Sequence, residues 1–334
     1  KQHSKAGLYK NQFQTSDSVQ LLNAPNHLEN LKQQGFDYIE FSSNPIVRKK
    51  LNRIGLEMIG DISWPEHISI NTIPINVAVK YDIKLIFWGE NSQNEYGGTD
   101  KAAKARELTW EWLLQYADFA GLRISDVEGL YNLEKKDLIP YYYPPAEKIK
   151  KAKIQSLFLG YFFPWSGYKN YEYVMKHGFI TYDKWVEGSY GNYENLDNHQ
   201  TGIHDYFKFL KYGYDRVTDW CCTHIRRGRM SREEAIKINQ EKSGKFPEEY
   251  LGYKLSEILE EIDCSREEFI KICDKFTNKS LFPFKSKILT PFTKPEVHIN
   301  LLVLTKFYNS PNFFKSLQII DSRRLITFIM MSQG

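Results

Sequence analysis

The sequence is poor in cysteine and has no long apolar run. Its four cysteines are Cys221, Cys222, Cys264 and Cys273, and no C-x-x-C pair occurs among them. That pattern excludes a zinc ribbon or a disulfide scaffold and points to a reduced, cytoplasmic protein. A membrane-spanning helix needs about 20 consecutive apolar residues. The last apolar stretch, Leu325 to Met331, is far shorter, and no signal-peptide pattern opens the chain, so no membrane span is expected. A charge excess is also missing: 45 Lys and Arg against 41 Asp and Glu leave +4. So small a surplus argues against nucleic acid as a partner. No internal repeat is visible. The first residue is Lys1 rather than Met, so a fragment, a processed product or an incomplete reading frame is expected, read here as an N-terminal truncation.

What is present is an ordinary globular balance, with 42% hydrophobic and 26% charged residues over 334 positions, enough for one large domain or two smaller ones. Aromatic residues reach 15%, with 22 Tyr and 21 Phe. Two readings of that figure stand: codon bias of a low-GC genome, which is the weightier, and an aromatic surface suited to sugars and bases.

Residues 1–27 form a divergent segment without clear periodicity. Leu28–Gln34 reads as a helix end stopped by Gly35, and Asp37–Phe41 as a short strand. Asn44-Pro45 opens a helix reaching about Ile59, with Val47, Leu51, Ile54 and Met58 on one face. Gly60–His67 reads as a loop and about Ser69–Tyr81 as a second helix. Lys84–Trp88 is expected to be a buried parallel strand, and Lys101–Ala120 a long helix. This alternation predicts an α/β fold with a parallel sheet over 28–150, with ligands at the carboxyl ends of its strands. Leu157–Phe163 reads as extended and His199–Tyr212 as helical. Ser231-Arg232-Glu233-Glu234 and Ser265-Arg266-Glu267-Glu268 are capping boxes. Residues 151–283 are therefore predicted to be mainly helical, and 284–334 an atypical tail.

Four segments carry the chemistry. Trp88–Gly98 follows the predicted strand. Its glycines admit close ligand approach, Glu90 and Glu95 offer carboxylates to magnesium, and Asn91, Gln93 and Asn94 offer amides. The alternative is a polar surface loop. Gly60–His67 brings together Trp64, Glu66 and His67, either a reacting centre or a structural His–Glu pair. Glu187–Asp205 is dense in sugar-compatible side chains. Its His199 and His204 are five apart, a poor match to helical zinc ligands. Gly188-Ser189-Tyr190-Gly191 is not a G-x-S-x-G elbow, which makes a serine hydrolase a poor fit. His224–Arg229 holds three arginines in four residues, either a phosphate grip or a solvated basic turn.

These segments, with Asn44–Arg53 and Arg226–Glu234, resemble the N-acetyl sugar amidotransferase family of lipopolysaccharide, O-antigen and flagellin-glycan biosynthesis, over about residues 28–283. The resemblance implies a PP-loop ATPase (adenine-nucleotide α-hydrolase-like) α/β domain over 28–150 and a substrate-binding region over 151–283. It implies ATP-dependent transfer of ammonia, through an adenylated intermediate, to a nucleotide-linked N-acetyl sugar. ATP and Mg are the implied cofactors, and glutaminase and cyclase-like subunits that supply ammonia the implied partners. By the same resemblance Trp64, Glu66, His67 and Glu90 face the reacting centre. Gly89, Glu90, Asn91, Gln93, Asn94 and Glu95 hold ATP, with Glu90 and Glu95 on Mg. Tyr190, Asn192, Asn195 and His204 meet the sugar, and Arg226 and Arg229 its nucleotide phosphates. The family's S-G-G-x-D-S phosphate loop is missing from these residues. The expected sheet is accordingly incomplete at its N-terminal side and ATP turnover weak. Two other readings are a non-catalytic sugar-nucleotide-binding or assembly subunit and, less well supported, a tRNA-modifying ATP pyrophosphatase.

Overall fold

The structure, a computed structural model, describes residues 41–282 except 96–98, 117–120 and 165, together with Gln33 and Ile39; for Asn94 and Glu95 the backbone alone is described. The expected elements Leu28–Gln34 and Asp37–Phe41 fall almost wholly outside the described residues, as do the segments 1–27 and 284–334.

Helix α1 (Pro45–Ile59) starts where Asn44 predicts it, with the Asn44 side chain accepting from the Ile46 and Val47 N–H groups. Gly60 ends it in the left-handed region at φ 63°. Helix α2 (Trp64–Tyr81) corrects the expected loop at 60–67, because it begins at Trp64 rather than near Ser69. Pro65 is compatible with that start, since first-turn N–H groups have no intrahelical acceptor anyway. Burial drives it: Trp64 is fully buried and packs with Val47, Leu51, Ile54 and Ile68.

Strand β1 (Leu85–Trp88) pairs in parallel with β2 (Gln155–Phe158), Leu85 opposite Gln155 and Trp88 opposite Phe158. The strand is where the apolar run predicts, but its burial is not. Leu85 and Phe87 are 44% and 53% exposed, so one face of the pair is open. The long helix expected over 101–120 is also corrected. A turn at Asp100–Ala103 and helix α3 (Trp110–Tyr116) are separated by an extended run. Long-range pairing explains the break: Leu108 N donates to Ser156 O (2.9 Å) and Phe158 N to Arg106 O (3.0 Å), fastening 106–108 to β2. Leu108, Trp112, Leu113, Tyr116 and Phe158 then share a core.

After β2 the chain turns into a helical turn at Leu159–Phe162 instead of staying extended to Phe163. Helix α4 (Gly167–Val174) follows, capped by Ser166. Beyond it lie α5 (Thr201–Tyr212), α6 (Arg216–Arg226) and α7 (Arg232–Lys242). A small hairpin joins β3 (Glu249–Tyr250) to β4 (Tyr253–Lys254), and α8 (Leu255–Glu261) and α9 (Arg266–Phe276) follow. Both capping boxes form, Ser231 with Glu234 and Ser265 with Glu268. The largest core joins Ile203, Phe207, Leu210, Leu255, Leu259 and Phe269 to Leu56 and Ile62 from the α1–α2 turn. The architecture is thus mixed α/β, mostly helical, with a small parallel two-stranded sheet. Among the described residues no helix is long and apolar enough to cross a membrane.

Candidate functional site

The turn between α1 and α2 is tight because Gly55 permits it. A Cβ at Gly55 would stand 2.4 Å from the Asp61 carbonyl oxygen and 2.7 Å from the Trp64 Cβ. This closeness draws Asp61 inside, where it is 2% exposed. His67 lies one turn into α2 and His204 one turn into α5, and both reach the same carboxylate. Asp61 Oδ2 lies 2.9 Å from His67 Nδ1, and Asp61 Oδ1 lies 2.9 Å from His204 Nδ1. The Ser63 N–H also donates to Oδ1 at 2.9 Å. The two imidazoles meet edge to face, with ring centres 5.1 Å apart.

Burial opposes ionisation of Asp61, but the two imidazoles outweigh it and hold the carboxyl well below its ordinary range. Lys211 donates to the Ile59 and Gly60 carbonyls at 2.7 and 2.9 Å. Burial pushes that ammonium down to about 8, against the attraction of Asp61. An ionised carboxylate only accepts hydrogen bonds, so the Nδ1 atoms of both imidazoles carry the proton that points at Asp61. The ligand atoms of Asp61, His67 and His204 all lie within 4.8 Å of one another, a spacing that a metal ion could also use. The Asp61 carboxylate, however, already accepts three N–H groups, and the Lys211 ammonium lies within its electrostatic reach. A divalent cation there would have to displace those N–H groups and add its charge beside a buried ammonium.

The other sequence-identified residues divide. Glu66 is buried. Desolvation raises its pKa although Arg48 Nε stands 3.6 Å away and Asn52 donates to it at 2.9 Å. Trp64 belongs to the core, with its indole N–H buried and without a hydrogen-bond partner. Within the strand-end loop, Gly89 and Glu90 are exposed, whereas Asn91 and Gln93 are buried. The Asn91 amide donates to the Ala102 carbonyl and its oxygen accepts from Gln93 N; the Gln93 amide donates to the Tyr116 carbonyl. These two amides thus brace the loop. The side chains of Asn94 and Glu95 lie outside the described residues.

In the 187–205 segment, Asn192 exchanges hydrogen bonds with the Tyr182 backbone, its amide donating at 3.1 Å and its carbonyl accepting at 2.8 Å. Asn195 takes a left-handed conformation at φ 49° and its carbonyl accepts from the Tyr250 hydroxyl. His199 is buried against the Tyr250 carbonyl and the Tyr253 ring. Tyr190 is half-buried, its ring centre 4.9 Å from that of His224. Arg229 donates through Nε to His224 Nδ1 at 3.2 Å, while Arg226 is exposed at the end of α6.

The sequence reading gave Asp61 and Glu194 no role. Burial pushes the Glu194 carboxyl up to about 8; Arg216 opposes this, and Asp205, Glu90 and Asp219 add to it. Its Oε2 is buried without a partner. Glu90, beyond β1, therefore lies within electrostatic reach of the Tyr190 segment. Asp205, next to His204, forms a two-pronged pair with Arg216 at 2.7 and 3.0 Å, tying α5 to α6. Nothing local in the sequence marks these pairings.

Residues 166–294 match a family model, the C-terminal domain of WbpG-like lipopolysaccharide-biosynthesis proteins; positions 283–294 of that match lie outside the described residues. The match supports a lipopolysaccharide-biosynthesis family. No curated protein matches the chain.

Proposed function

We propose that the chain works in sugar amidation during lipopolysaccharide synthesis, as part of an ATP-dependent amidotransferase acting on a nucleotide-linked N-acetyl sugar. The observation that carries this reading is the meeting of His67 and His204 on Asp61. The first comes from the segment assigned to the reacting centre, the second from the segment assigned to the sugar. The WbpG-like match over 166–294 supports the pathway.

In the proposed reaction the carbonyl oxygen of a sugar amide or carboxyl group attacks the α-phosphorus of ATP and pyrophosphate leaves. Ammonia then adds to the activated carbon and AMP leaves with the former carbonyl oxygen. The incoming nitrogen must shed a proton, and an Nδ1–H held by a buried carboxylate makes Nε2 of the same ring more basic. His67 and His204 are the candidates for that base, and Asp61 orients both. Within the described part of the strand-end loop, Glu90 is the one carboxylate at hand for magnesium, which would neutralise phosphate charge.

A second reading, a non-catalytic sugar-nucleotide-binding subunit, is favoured by one observation: Asn91 and Gln93, assigned to ATP, spend their amides on backbone carbonyls that brace the loop. One assay separates the two. The chain is incubated with ATP, an ammonium salt and UDP-N-acetylglucosamine. Release of AMP together with exchange of a sugar carbonyl oxygen for nitrogen, read by mass spectrometry, supports the amidotransferase. Calorimetric binding of the sugar nucleotide without any ATP-dependent product supports the subunit. If the sugar nucleotide does not bind at all, both readings fail.

A further inference from the structure

Helix α6 presents two buried donors on one face. Trp220 and His224 are four residues apart, 9% and 4% exposed, with ring centres 5.4 Å from each other. Trp220 Nε1 and His224 Nε2 are both buried and neither has a hydrogen-bond partner. The proton on His224 is fixed by its neighbour. A guanidinium can only donate, so Arg229 Nε–H, 3.2 Å away, makes Nδ1 the acceptor and leaves the proton on Nε2. Burial, with Arg229 and Arg227 nearby, pushes the His224 pKa down to about 4, so the ring stays neutral.

Buried donors are almost always satisfied, and two unpaired ones on one helix face call for an acceptor. Aromatic rings surround them. Tyr190 packs on His224 with ring centres 4.9 Å apart, and Tyr193 meets Trp220 edge-on at 5.8 Å. Both tyrosines are half-buried and belong to the segment next to α6. Tyr168 stands 6.0 Å from His224, with the Arg229 guanidinium 4.9 Å above its ring.

We propose that Trp220 and His224 form an acceptor-oxygen subsite that selects an acylamino sugar, their two N–H groups donating to the amide carbonyl oxygen. This deepens the reading above and rests on it. The ligand group is uncharged, because the pair itself is neutral. Its apolar flank lies against Tyr190 and Tyr193, which must turn outward to admit it. A carbonyl oxygen has two lone pairs and can accept from both donors. A hydroxyl in its place reaches less far and brings a donor of its own. A pocket built around two donors therefore discriminates by leaving them unpaired when the carbonyl is absent. Arg226, exposed at the end of α6, is placed for the phosphates that such a sugar carries.

The test is calorimetry on the full chain with UDP-N-acetylglucosamine, UDP-glucose and UDP, repeated with Trp220→Phe, which keeps a ring and removes the N–H. The proposal expects the acetamido sugar to bind at least about tenfold more tightly than UDP-glucose, and Trp220→Phe to remove about tenfold of that advantage, the worth of one buried hydrogen bond, while leaving UDP-glucose unchanged. A second readout needs no variant: one tryptophan indole N–H resonance, absent from spectra of Trp220→Phe, shifts when the acetamido sugar is added. Equal binding of the two sugars, or binding indifferent to Trp220→Phe, overturns the subsite and leaves the proposed function standing. No binding of any UDP-sugar overturns both.

Discussion

Replacing Asp61 by Asn probes the centre most directly. The carboxylate accepts from His67 Nδ1, His204 Nδ1 and the Ser63 N–H, each at 2.9 Å. An amide keeps the shape but offers one accepting oxygen and one donating nitrogen. At least one imidazole then faces a donor with its own N–H, and must switch tautomer or lose its bond. The charge that balances Lys211 goes as well. Breaking a buried charged network of this kind costs about 3–5 kcal/mol, a large fraction of the roughly 5–15 kcal/mol that holds a typical domain together. The loss also carries a pH signature. Asp61 has its folded pKa depressed below the ordinary 3.8, so its stabilisation is complete above the unfolded value and disappears as pH falls through the folded one. Urea unfolding of wild type and Asp61→Asn should therefore differ by the full amount at pH 6–8, and the curves should converge only in strong acid. A difference below about 1 kcal/mol at pH 7, the worth of one neutral hydrogen bond, would refute the claim that a shared carboxylate holds the two imidazoles.

Glu194→Gln tests the neighbouring carboxyl. Its pKa is raised from 4.5 to about 8, so the folded state favours the protonated acid and the wild type loses stability as pH rises between those values. The variant's melting temperature should match the wild type near pH 4.5 and exceed it increasingly toward pH 8; a constant gap would show that Glu194 does not titrate in that window. Gly60→Ala should destabilise by about 2–4 kcal/mol, combining a left-handed backbone penalty with overpacking. The reason is its φ of 63° and a new Cβ 2.8 Å from Phe276 Cγ and 2.9 Å from Phe207 Cδ1; equilibrium denaturation is the check, and a change under about 1 kcal/mol would be too small for that clash. Ser231→Ala removes the capping box of α7 and should cost about 0.5–2 kcal/mol, with Glu234→Ala giving little further loss in the double variant because the two act as one unit.

Elements fixed by local chemistry were legible from residue order. The Asn44-Pro45 start of α1, the two Ser-x-x-Glu boxes and the apolar face of α5 each depend on neighbours within a turn, and each forms where expected. What depends on distant pairing was not. The helical pattern around Lys101–Ala120 yields at Leu108 because Ser156, far along the chain, offers it a carbonyl. Trp64 reads as part of a loop over Gly60–His67 until it is seen to be a core residue of α2. The site divides in the same way. His67 and His204 could be picked out by type, but not the acid that joins them, which came from a turn closed by Gly55. Trp220 and His224 are ordinary helical residues in sequence; only their buried Nε1 and Nε2 atoms without acceptors set them apart.

The α1–α2 turn also bears on how this molecule can be cut. Leu56 and Ile62 pack among Ile203, Phe207, Leu259 and Phe269. Arg53 reaches the Asp263 carbonyl at 2.8 Å, and Lys275 the Glu57 carbonyl at 2.6 Å. A recombinant piece starting at residue 166, where the family match begins, would leave those partners behind and show water a bare apolar groove along α5 and α9. Expression trials should therefore carry the chain from before Asn44, so that the first helix is present when the last ones collapse onto it.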